Sequence, residues 1–282
     1  MPYELRKRTM YMMPTHFGPQ VGPVQGPGGE LYAFDQAGLK REAYAVSFRT
    51  KAAQLEAMLP PGFALDGEPV VTVVYTYMTE IDWLAGRGYN TLGVTFAARY
   101  AGVRDRAAGP LMLVLWENLC DPILIGREQL GFSKIYCELP DPVVREGETS
   151  LLANWMGFRF MDMTLTGMEE VPAGNIPVPA DPPDDGLLRG LLHYKYVPKT
   201  GDWGEPEAEY AVMGPPAMPA NPPKRLWCGD GTVEFHRARW EDLPTQYQVV
   251  NGFADLEVEE FVGATIEHGV GGKGLGNQVI LE

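Results

Sequence analysis

Several segments of the chain alternate apolar and polar residues with a period of two, which is the pattern of β-strands with one buried face. Residues 40–49 (KREAYAVSFR) follow this pattern, whereas residues 111–116 (LMLVLW) are continuously apolar, as in a strand covered on both faces. Residues 70–78 are β-branched and aromatic, which also favours a strand. Further strands are predicted at residues 92–100, 232–240 and 260–267, with one or two more within 151–165.

Helical patterns are few and short. Residues 51–59 place their leucines and methionine on one apolar helical stripe, and Thr50 is the predicted N-cap. A second short helix is predicted at residues 186–192. The proline-rich segments 171–185 and 213–223 are predicted to be surface loops.

Strand signals therefore outnumber helix signals, and the two do not alternate as they do in a βαβ chain. The 33 glycines and 25 prolines favour many turns over long helices. We predict a mainly β (α+β) fold, antiparallel and barrel-like or double-sheeted, with a few peripheral helices. Residues 1–282 are predicted to form one domain, with an extended N-terminal arm at 1–30 and a C-terminal tail at 269–282 that is flexible until Val279.

The composition narrows the range of partners. The net charge of −14 argues against binding to nucleic acid or to an acidic membrane surface, because both attract clustered Lys and Arg. No run of about 18 apolar residues occurs, and the opening MPYELRKRTM lacks the apolar stretch of a signal peptide, so we expect a cytoplasmic protein. The three cysteines are too few and too widely spaced for a disulfide framework or a C-x-x-C metal pair.

The standard cofactor and metal motifs do not occur in the sequence. GLGNQ near the C-terminus has no strand before it and no helix after it, so it is not a dinucleotide-binding turn. Neither a phosphate-binding loop nor a G-x-S-x-G nucleophile turn is found. The histidines lie far apart, so we predict no metal site and no cofactor; they are His16, His193, His236 and His268.

Residues 117–140 (ENLCDPILIGREQLGFSKIYCELP) carry more information than any other segment. From Ser133 the chain alternates, so that Lys134, Tyr136 and Glu138 share one face of a predicted strand. On this pattern alone, Lys134 is an ordinary lysine on the solvent-facing side.

A second interpretation of Lys134 comes from a family resemblance. Residues 126–134 (GREQLGFSK) fit the frame G-R-E-x-x-x-[FY]-x-K without a gap, and Asp121-Pro122 precede it. This segment resembles the active-site segment of the acetoacetate decarboxylase superfamily. Other similar motifs follow the same order, so that the resemblance covers most of residues 14–268: PTHFGP at 14–19, Arg41-Glu42-x-Tyr44, EPVV at 68–71, GTVEF at 231–235, WEDLP at 240–244 and NGFADLEV at 251–258.

The resemblance implies a cofactor-independent enzyme in which Lys134 attacks a substrate ketone and forms a Schiff base. The protonated iminium then accepts the electron pair released when CO₂, a proton or an aldehyde leaves the neighbouring carbon. The attacking amine must be neutral, and burial or a nearby cation favours the neutral form.

Lys134 and Glu128 are the predicted catalytic residues, with Glu128 orienting the amine or acting as an acid or base. Arg41 and Arg127 are predicted to bind substrate, because a guanidinium group can hold both oxygens of a carboxylate. Alternatively, Arg127 and Glu128 only hold the loop before the strand. The remaining predicted substrate-binding residues are Tyr89, Phe132 and Glu117.

Three regions depart from the family pattern. Ile135 stands where the decarboxylases have a second lysine, and Asn90 and Thr91 occupy the region of a glutamate that follows a tyrosine. An apolar residue near Val74 replaces an acidic one. Most of the carboxylates that orient a small β-keto acid are thereby lost, so we expect a substrate other than acetoacetate.

Three functional hypotheses follow. The first is a decarboxylase-like lyase that acts on a keto acid through Lys134. The second is an aldolase–dehydratase or cyclase that uses the same lysine on a larger carbonyl substrate. The third is a non-catalytic member of the fold that binds a small carbonyl or hydrophobic ligand. Exposed sheet edges and the resemblance also predict a homo-oligomer.

Overall fold

The structure is a computed structural model that describes residues 4–178, 183, 185–216, 221–272 and 275–282. Nearly half of the described chain forms β-strands, whose bounds are β1 Lys40–Arg49, β2 Phe63–Leu65, β3 Val70–Ile81, β4 Arg87–Ala101, β5 Arg106–Glu117, β6 Lys134–Tyr136, β7 Val143–Arg145, β8 Glu148–Trp155, β9 Phe158–Glu170, β10 Leu188–Arg189, β11 Leu191–Pro198, β12 Pro206–Gly214, β13 Arg225–Phe235, β14 Glu260–Val270 and β15 Val279–Leu281.

The helices are short and peripheral, as the sequence predicts. Three α-helices occur in the described residues: α1 Ala52–Glu56, α2 Cys120–Ile125 and α3 Tyr247–Ala254. A π-helical turn, Gly126–Leu130, continues α2 directly. No helix in the described part of the chain is both long and apolar enough to cross a membrane.

All of these strands belong to one large sheet, in the order β15-β12-β11-β5-β4-β3-β1-β14-β13-β9-β8-β7, with β2 paired to β4 and with β6 and β10 paired to β5. The end strands β15 and β7 pair with β12 and β8 and not with each other, so the described sheet is not closed, which corrects the barrel-like part of the prediction. Most neighbours are antiparallel, but β5 pairs in parallel with β6, β10 and β11. The predicted mainly β fold with few helices is confirmed.

Strand alternation gives the central part of this sheet two different faces. Tyr44, Tyr75, Leu92 and Trp116 are aligned across β1, β3, β4 and β5, and each is 5% exposed or less. This row belongs to the main hydrophobic core. Because successive residues point to opposite faces, the next row along the strands faces away from the core.

Helix α3 is fixed to the core side of the sheet by a buried glutamine. Trp116 Nε1 donates a hydrogen bond to Gln246 Oε1 at 2.8 Å, and Gln246 Nε2 donates to the carbonyl oxygen of Tyr136 at 2.8 Å. The side chain thereby satisfies the indole of β5 and a backbone carbonyl of β6. These bonds hold the start of α3 against the adjacent ends of both strands.

The N-terminal arm packs over the opposite end of β6. Gln25 is fully buried and holds the arm together by donating hydrogen bonds from Nε2 to the carbonyl oxygens of Met10 and Gln20, at 3.0 and 2.7 Å. Val24 forms a small hydrophobic cluster with Leu130 and Phe132. The arm therefore contacts the segment that leads into Lys134.

Several predicted elements differ from the observed ones. The predicted helix at residues 186–192 is wrong, because these residues begin β10 and β11, where Gly190 approaches Gly214 of β12 closely. Helix α1 has Lys51 rather than Thr50 at its N-cap. Helices α2 and α3 and strand β12 were not predicted. The predicted tail contributes β15, which begins at Val279, whereas residues 273–274 lie outside the described residues.

Candidate active site

The candidate site lies where the parallel strands β5 and β6 meet. In this pair Leu115 is aligned with Lys134, and Glu117 with Tyr136. Two parallel neighbours cannot be joined by a tight turn, so the chain needs a longer crossover between them. Helix α2 and the π-helical turn Gly126–Leu130 form that crossover. The topology thus explains a helical segment that the local sequence pattern does not reveal.

Lys134 is buried at this junction, contrary to the alternation that places it on a solvent-facing side. Its side chain is only 8% exposed, and its Nζ lies 2.8 Å from Glu117 Oε1. The same Nζ donates a hydrogen bond to the carbonyl oxygen of Pro122 at 3.1 Å. The Phe132 ring centroid lies 5.6 Å from Nζ and covers the amine on one side.

Glu117 is the buried acid of the site. Its side chain is 1% exposed, and no hydrogen bond reaches Oε2 from the described residues. Burial raises the pKa of this carboxyl, and the neighbouring charge of Lys134 opposes that rise. A carboxyl whose pKa is raised can hold a proton at a higher pH than an exposed glutamate, as a general acid or base must.

Gly126 makes room for the lysine. A Cβ atom at this position would lie 2.4 to 2.7 Å from Cδ, Cε and Nζ of Lys134, although the backbone of Gly126 is helical, with φ −62° and ψ −39°. The glycine is therefore required by the close approach of the lysine and not by its own backbone conformation. The GRE motif supplies a space in which the Lys134 side chain fits.

Lys134 and Glu117 open into a cavity of about 420 Å³. The lining also includes Arg41, Tyr89 and Phe132, so five of the seven predicted site residues border one space. The rest of the lining is mostly apolar and comprises Gln36, Leu39, Ala43, Val74, Thr76, Met78, Ile81, Trp83, Thr91, Met112, Leu115, Leu130, Leu191, Glu267, Gly272 and Leu275.

The floor of the cavity is one row of the sheet. Glu267, Ala43, Thr76, Thr91 and Glu117 are aligned from β14 through β1, β3 and β4 to β5, directly beside the buried aromatic row. Adjacent rows face opposite sides of a sheet, so a shift of one residue separates the core from the cavity.

The next row on the same face of the sheet, two residues along each strand, carries two more of the predicted site residues. Arg41 is aligned with Met78, and Met78 with Tyr89. Burial raises the pKa of Tyr89, and the charge of Glu117 raises it further, so this hydroxyl keeps its proton and can donate a hydrogen bond. Tyr89 and Glu117 line the same cavity.

Arg41 lies at the side of the cavity away from Lys134. Its Nη2 donates to the carbonyl oxygen of Asn221 at 3.4 Å, and its Nε is buried without a hydrogen-bond partner in the described residues. A Cβ atom on Gly269 would lie 2.6 Å from that Nε, so the arginine leans over β14. An unpaired buried N–H group is costly, and a ligand oxygen would satisfy it.

The structure does not bring Arg127 and Glu128 into the cavity. Both are exposed, and they border a separate groove on the other side of β6. Arg127 Nη1 donates to the carbonyl oxygen of Lys134 at 2.8 Å, and the carbonyl oxygen of Glu128 accepts from Lys195 Nζ at 2.8 Å. Their observed contacts are those of residues that hold the segment around Lys134.

Of the positions that depart from the family pattern, two line the cavity and two lie outside it. Val74 and Thr91 line the cavity, so the acidic residues expected there are absent from the space around Lys134. Asn90 is buried on the other face, where its Nδ2 donates to the carbonyl oxygen of Leu139 at 2.9 Å. Ile135 lines the groove that also contains Arg127.

Sequence patterns did not identify most of the apolar lining. Leu39 comes from the segment before β1, and Leu275 comes from the segment after β14. No local pattern relates such distant segments to Lys134. Glu117 did carry a local signal, because it is a charged residue at the end of the continuously apolar run 111–116.

Comparison with known proteins identifies the family of the chain. The sequence matches the family model for acetoacetate decarboxylase (ADC) over residues 12–271. The chain therefore belongs to the acetoacetate decarboxylase family, which confirms the resemblance based on residues 14–268. No curated protein sequence matches the chain.

Solved structures share the fold at low sequence identity. Acetoacetate decarboxylase from Legionella pneumophila subsp. pneumophila str. Philadelphia 1 aligns with a TM-score of 0.59 and 18% identity over 87% of both chains. An acetoacetate decarboxylase-like enzyme from Sphingomonas wittichii RW1 aligns at 0.60 and 19%, over 91% of this chain and 97% of its own. The enduracididine biosynthesis enzyme MppR, complexed with pyruvate, aligns at 0.58 and 17%, over 93% and 98%. MppR is also known in complex with the condensation product of pyruvate and imidazole 4-carboxaldehyde.

The fit between Gly126 and Lys134 predicts the effect of a single methyl group. Gly126→Ala should displace the lysine and lower the rate at which an amine-directed reagent modifies Lys134, by about tenfold or more. Helix propensity acts in the opposite direction, since alanine is favoured over glycine by about 1 kcal/mol in a helix. The control is Gly174→Ala, where a Cβ meets nothing within 4 Å. Unchanged Lys134 modification in Gly126→Ala would contradict the proposed fit.

Because Glu117 is buried, we predict that the stability of the folded protein becomes pH-dependent when Lys134, its positively charged partner, is removed. In Lys134→Met nothing opposes the effect of burial, so the pKa of Glu117 rises further above its ordinary value in the folded state. A carboxyl whose folded pKa is raised contributes full stability below its unfolded pKa of about 4.3, and that contribution is lost as the pH rises toward the folded pKa. The loss approaches about 1.4 kcal/mol per pH unit.

Denaturant unfolding of Lys134→Met between pH 5 and 7 measures this slope. The double variant Lys134→Met/Glu117→Gln is the control, because it keeps the shape of both side chains without the ionisable pair. The stability of the single variant should fall relative to the double variant as the pH rises. Parallel pH profiles for the two variants would show that burial does not raise the pKa of Glu117 in the folded state.

Proposed function

We propose that this protein is a cofactor-independent, lyase-type enzyme that forms a Schiff base between Lys134 and a keto-acid substrate. The proposal rests on one observation, the buried Lys134 amine 2.8 Å from the buried Glu117 carboxylate at one end of a cavity. Membership of the acetoacetate decarboxylase family supports this assignment. A lysine with only a structural role at the surface would contact neither a buried carboxylate nor a glycine whose missing Cβ leaves space for its side chain.

The proposed reaction begins with proton transfer from the Lys134 ammonium to Glu117. The neutral amine attacks the substrate carbonyl carbon, and protonated Glu117 gives its proton to the carbinolamine oxygen, which leaves as water. In the resulting iminium, the carbon–carbon bond to a neighbouring carboxylate breaks and releases CO₂. The bonding pair moves into the iminium and forms an enamine. Proton return to carbon and hydrolysis then release the ketone and the free amine.

The other cavity residues have supporting roles in this proposal. Tyr89 donates a hydrogen bond to a substrate oxygen, since its hydroxyl keeps its proton. Arg41 offers its unpaired Nε to a second oxygen farther along the cavity. Phe132 covers the amine and limits access of water to it. Arg127 and Glu128 fix the backbone around Lys134 instead of contacting the substrate.

In a second candidate function, the carbon beside the iminium gives a proton to the Glu117 carboxylate, and the enamine formed in this way attacks an aldehyde, as in an aldolase–dehydratase. The lining of the cavity favours it, because Val74 and Thr91 replace the acids that would orient a small β-keto acid. The structures of MppR with pyruvate and with a condensation product support the same possibility by analogy of fold. Both candidate functions require the iminium at Lys134.

Borohydride reduction tests the shared step. Incubation with pyruvate or acetoacetate followed by borohydride should add the mass of the reduced ketone to the peptide that contains Lys134. Lys134→Met should remove the adduct, whereas Lys195→Met should keep it, because Lys195 lies outside the cavity. No adduct in the wild-type protein with any keto acid would leave only the non-catalytic binding hypothesis.

Product analysis separates the two candidate reactions and tests Glu117. Release of CO₂ from β-keto acids supports decarboxylation, and formation of a carbon–carbon bond between pyruvate and an aldehyde supports the aldol alternative. In either reaction Glu117→Gln should lower kcat by about 10²- to 10⁴-fold, which is the usual contribution of a general acid–base group. A variant with wild-type kcat would rule out proton transfer by Glu117.

A further inference from the structure

The two polar ends of the cavity lie far apart across the sheet. Glu117 is on β5 and Arg41 is on β1, and the strands β4 and β3 lie between them. Neighbouring strands are about 4.8 Å apart, so three steps separate these positions by about 14 Å along the sheet. The amine of Lys134 stays at the β5 end, because its Nζ contacts Glu117.

The Arg41 side chain increases this separation. Its Nε lies beside the backbone of Gly269 on β14, and its Nη2 reaches the carbonyl oxygen of Asn221. The guanidinium therefore leans away from β3, β4 and β5. A four-carbon keto acid that reacts at Lys134 is too short to reach it.

The space between these two ends is apolar. Its walls include Val74, Met78, Ile81 and Trp83, and the floor between Glu117 and Glu267 carries only Thr91, Thr76 and Ala43. Burial of a methylene group against such walls is favourable, whereas a chain of charged groups would lose its hydration there. The middle of the cavity therefore suits a hydrocarbon segment.

The volume of the cavity agrees with these distances. About 420 Å³ corresponds to roughly 14 water molecules at their liquid share of ~30 Å³ each. A small keto acid such as acetoacetate fills no more than about half of it. Three bonds of an extended chain cover about 3.3–3.6 Å, so a span of about 14 Å needs roughly a dozen bonds.

We infer that the substrate of this site is an extended keto acid with an apolar body of about eight to twelve carbon atoms. The inference rests on the proposed Schiff-base function and names its substrate class. The reacting carbonyl lies at Lys134, the hydrocarbon body covers the row Thr91–Thr76–Ala43, and an oxygen near the distal end accepts a hydrogen bond from Arg41 Nε. Glu267 lies at that distal end as well and favours an uncharged oxygen there over a second carboxylate.

A series of 3-oxo acids of four to twelve carbons tests the substrate class on the wild-type protein. The ketone concentration that gives half-maximal borohydride trapping at Lys134 should fall by roughly two- to fourfold for each added methylene, up to about twelve carbons. Equal concentrations for the four-carbon and ten-carbon acids would overturn the extended substrate and leave the Schiff base intact. No trapping at any length would refute the proposed function itself.

Ala43 provides a variant in the middle of the proposed path. Ala43→Leu should reduce the ratio of ten-carbon to four-carbon trapping efficiency by about tenfold or more, because the added atoms fill the floor between Thr76 and Glu267. Ala45→Leu is the matched control, since Ala45 has the same orientation on β1 but does not line the cavity. A ratio that stays at the wild-type value in Ala43→Leu would show that the chain does not lie along this row.

Discussion

The buried contact between Lys134 and Glu117 is the interaction on which the site depends. Removing either charge alone leaves the other one buried without a partner, which typically costs several kcal/mol. The pair is placed by the parallel alignment of β5 with β6, because antiparallel neighbours would not require the helical crossover whose Pro122 carbonyl also binds the amine. The parallel pairing of β5 with β6 therefore brings together the acid, the amine and the carbonyl oxygen that accepts a hydrogen bond from the amine.

The same sheet serves as the scaffold of the core and as the floor of the site. The row Tyr44–Tyr75–Leu92–Trp116 is buried in the core, and the row one residue away faces the cavity. A slip of one residue in register would exchange these rows and place carboxylate and hydroxyl groups in the core. The large cost of that exchange fixes the register, and the fixed register in turn fixes the spacing of the side chains around the substrate.

The sequence predicted the strand content and the position of Lys134 within a family motif, because both leave local patterns. Strand alternation placed Lys134 on a solvent-facing side and only the family resemblance implied burial, since alternation ignores what the arm and the crossover place above the strand. Glu128 was the expected acid because it lies in the motif, yet Glu117 is the carboxylate beside the amine. Contact between residues 117 and 134 follows from parallel pairing, a non-local property that no single segment reveals. The unpredicted helix α2 has the same origin.

Two walls of the cavity come from segments outside the central strands. Gln36 and Leu39 precede β1, and Gly272 and Leu275 follow β14, so these walls join parts of the chain that are very distant in sequence. Backbone N–H groups of Gly271 and Gly272 donate hydrogen bonds to the carbonyl oxygens of Leu39 and Gln36, at 2.6 and 3.0 Å, and join the two segments just beyond the paired strands. Breaking these two bonds would open the cavity on this side while the β1–β14 pairs stay intact. Such local opening costs less free energy than global unfolding, so a ligand can enter without disturbing the sheet beneath the site.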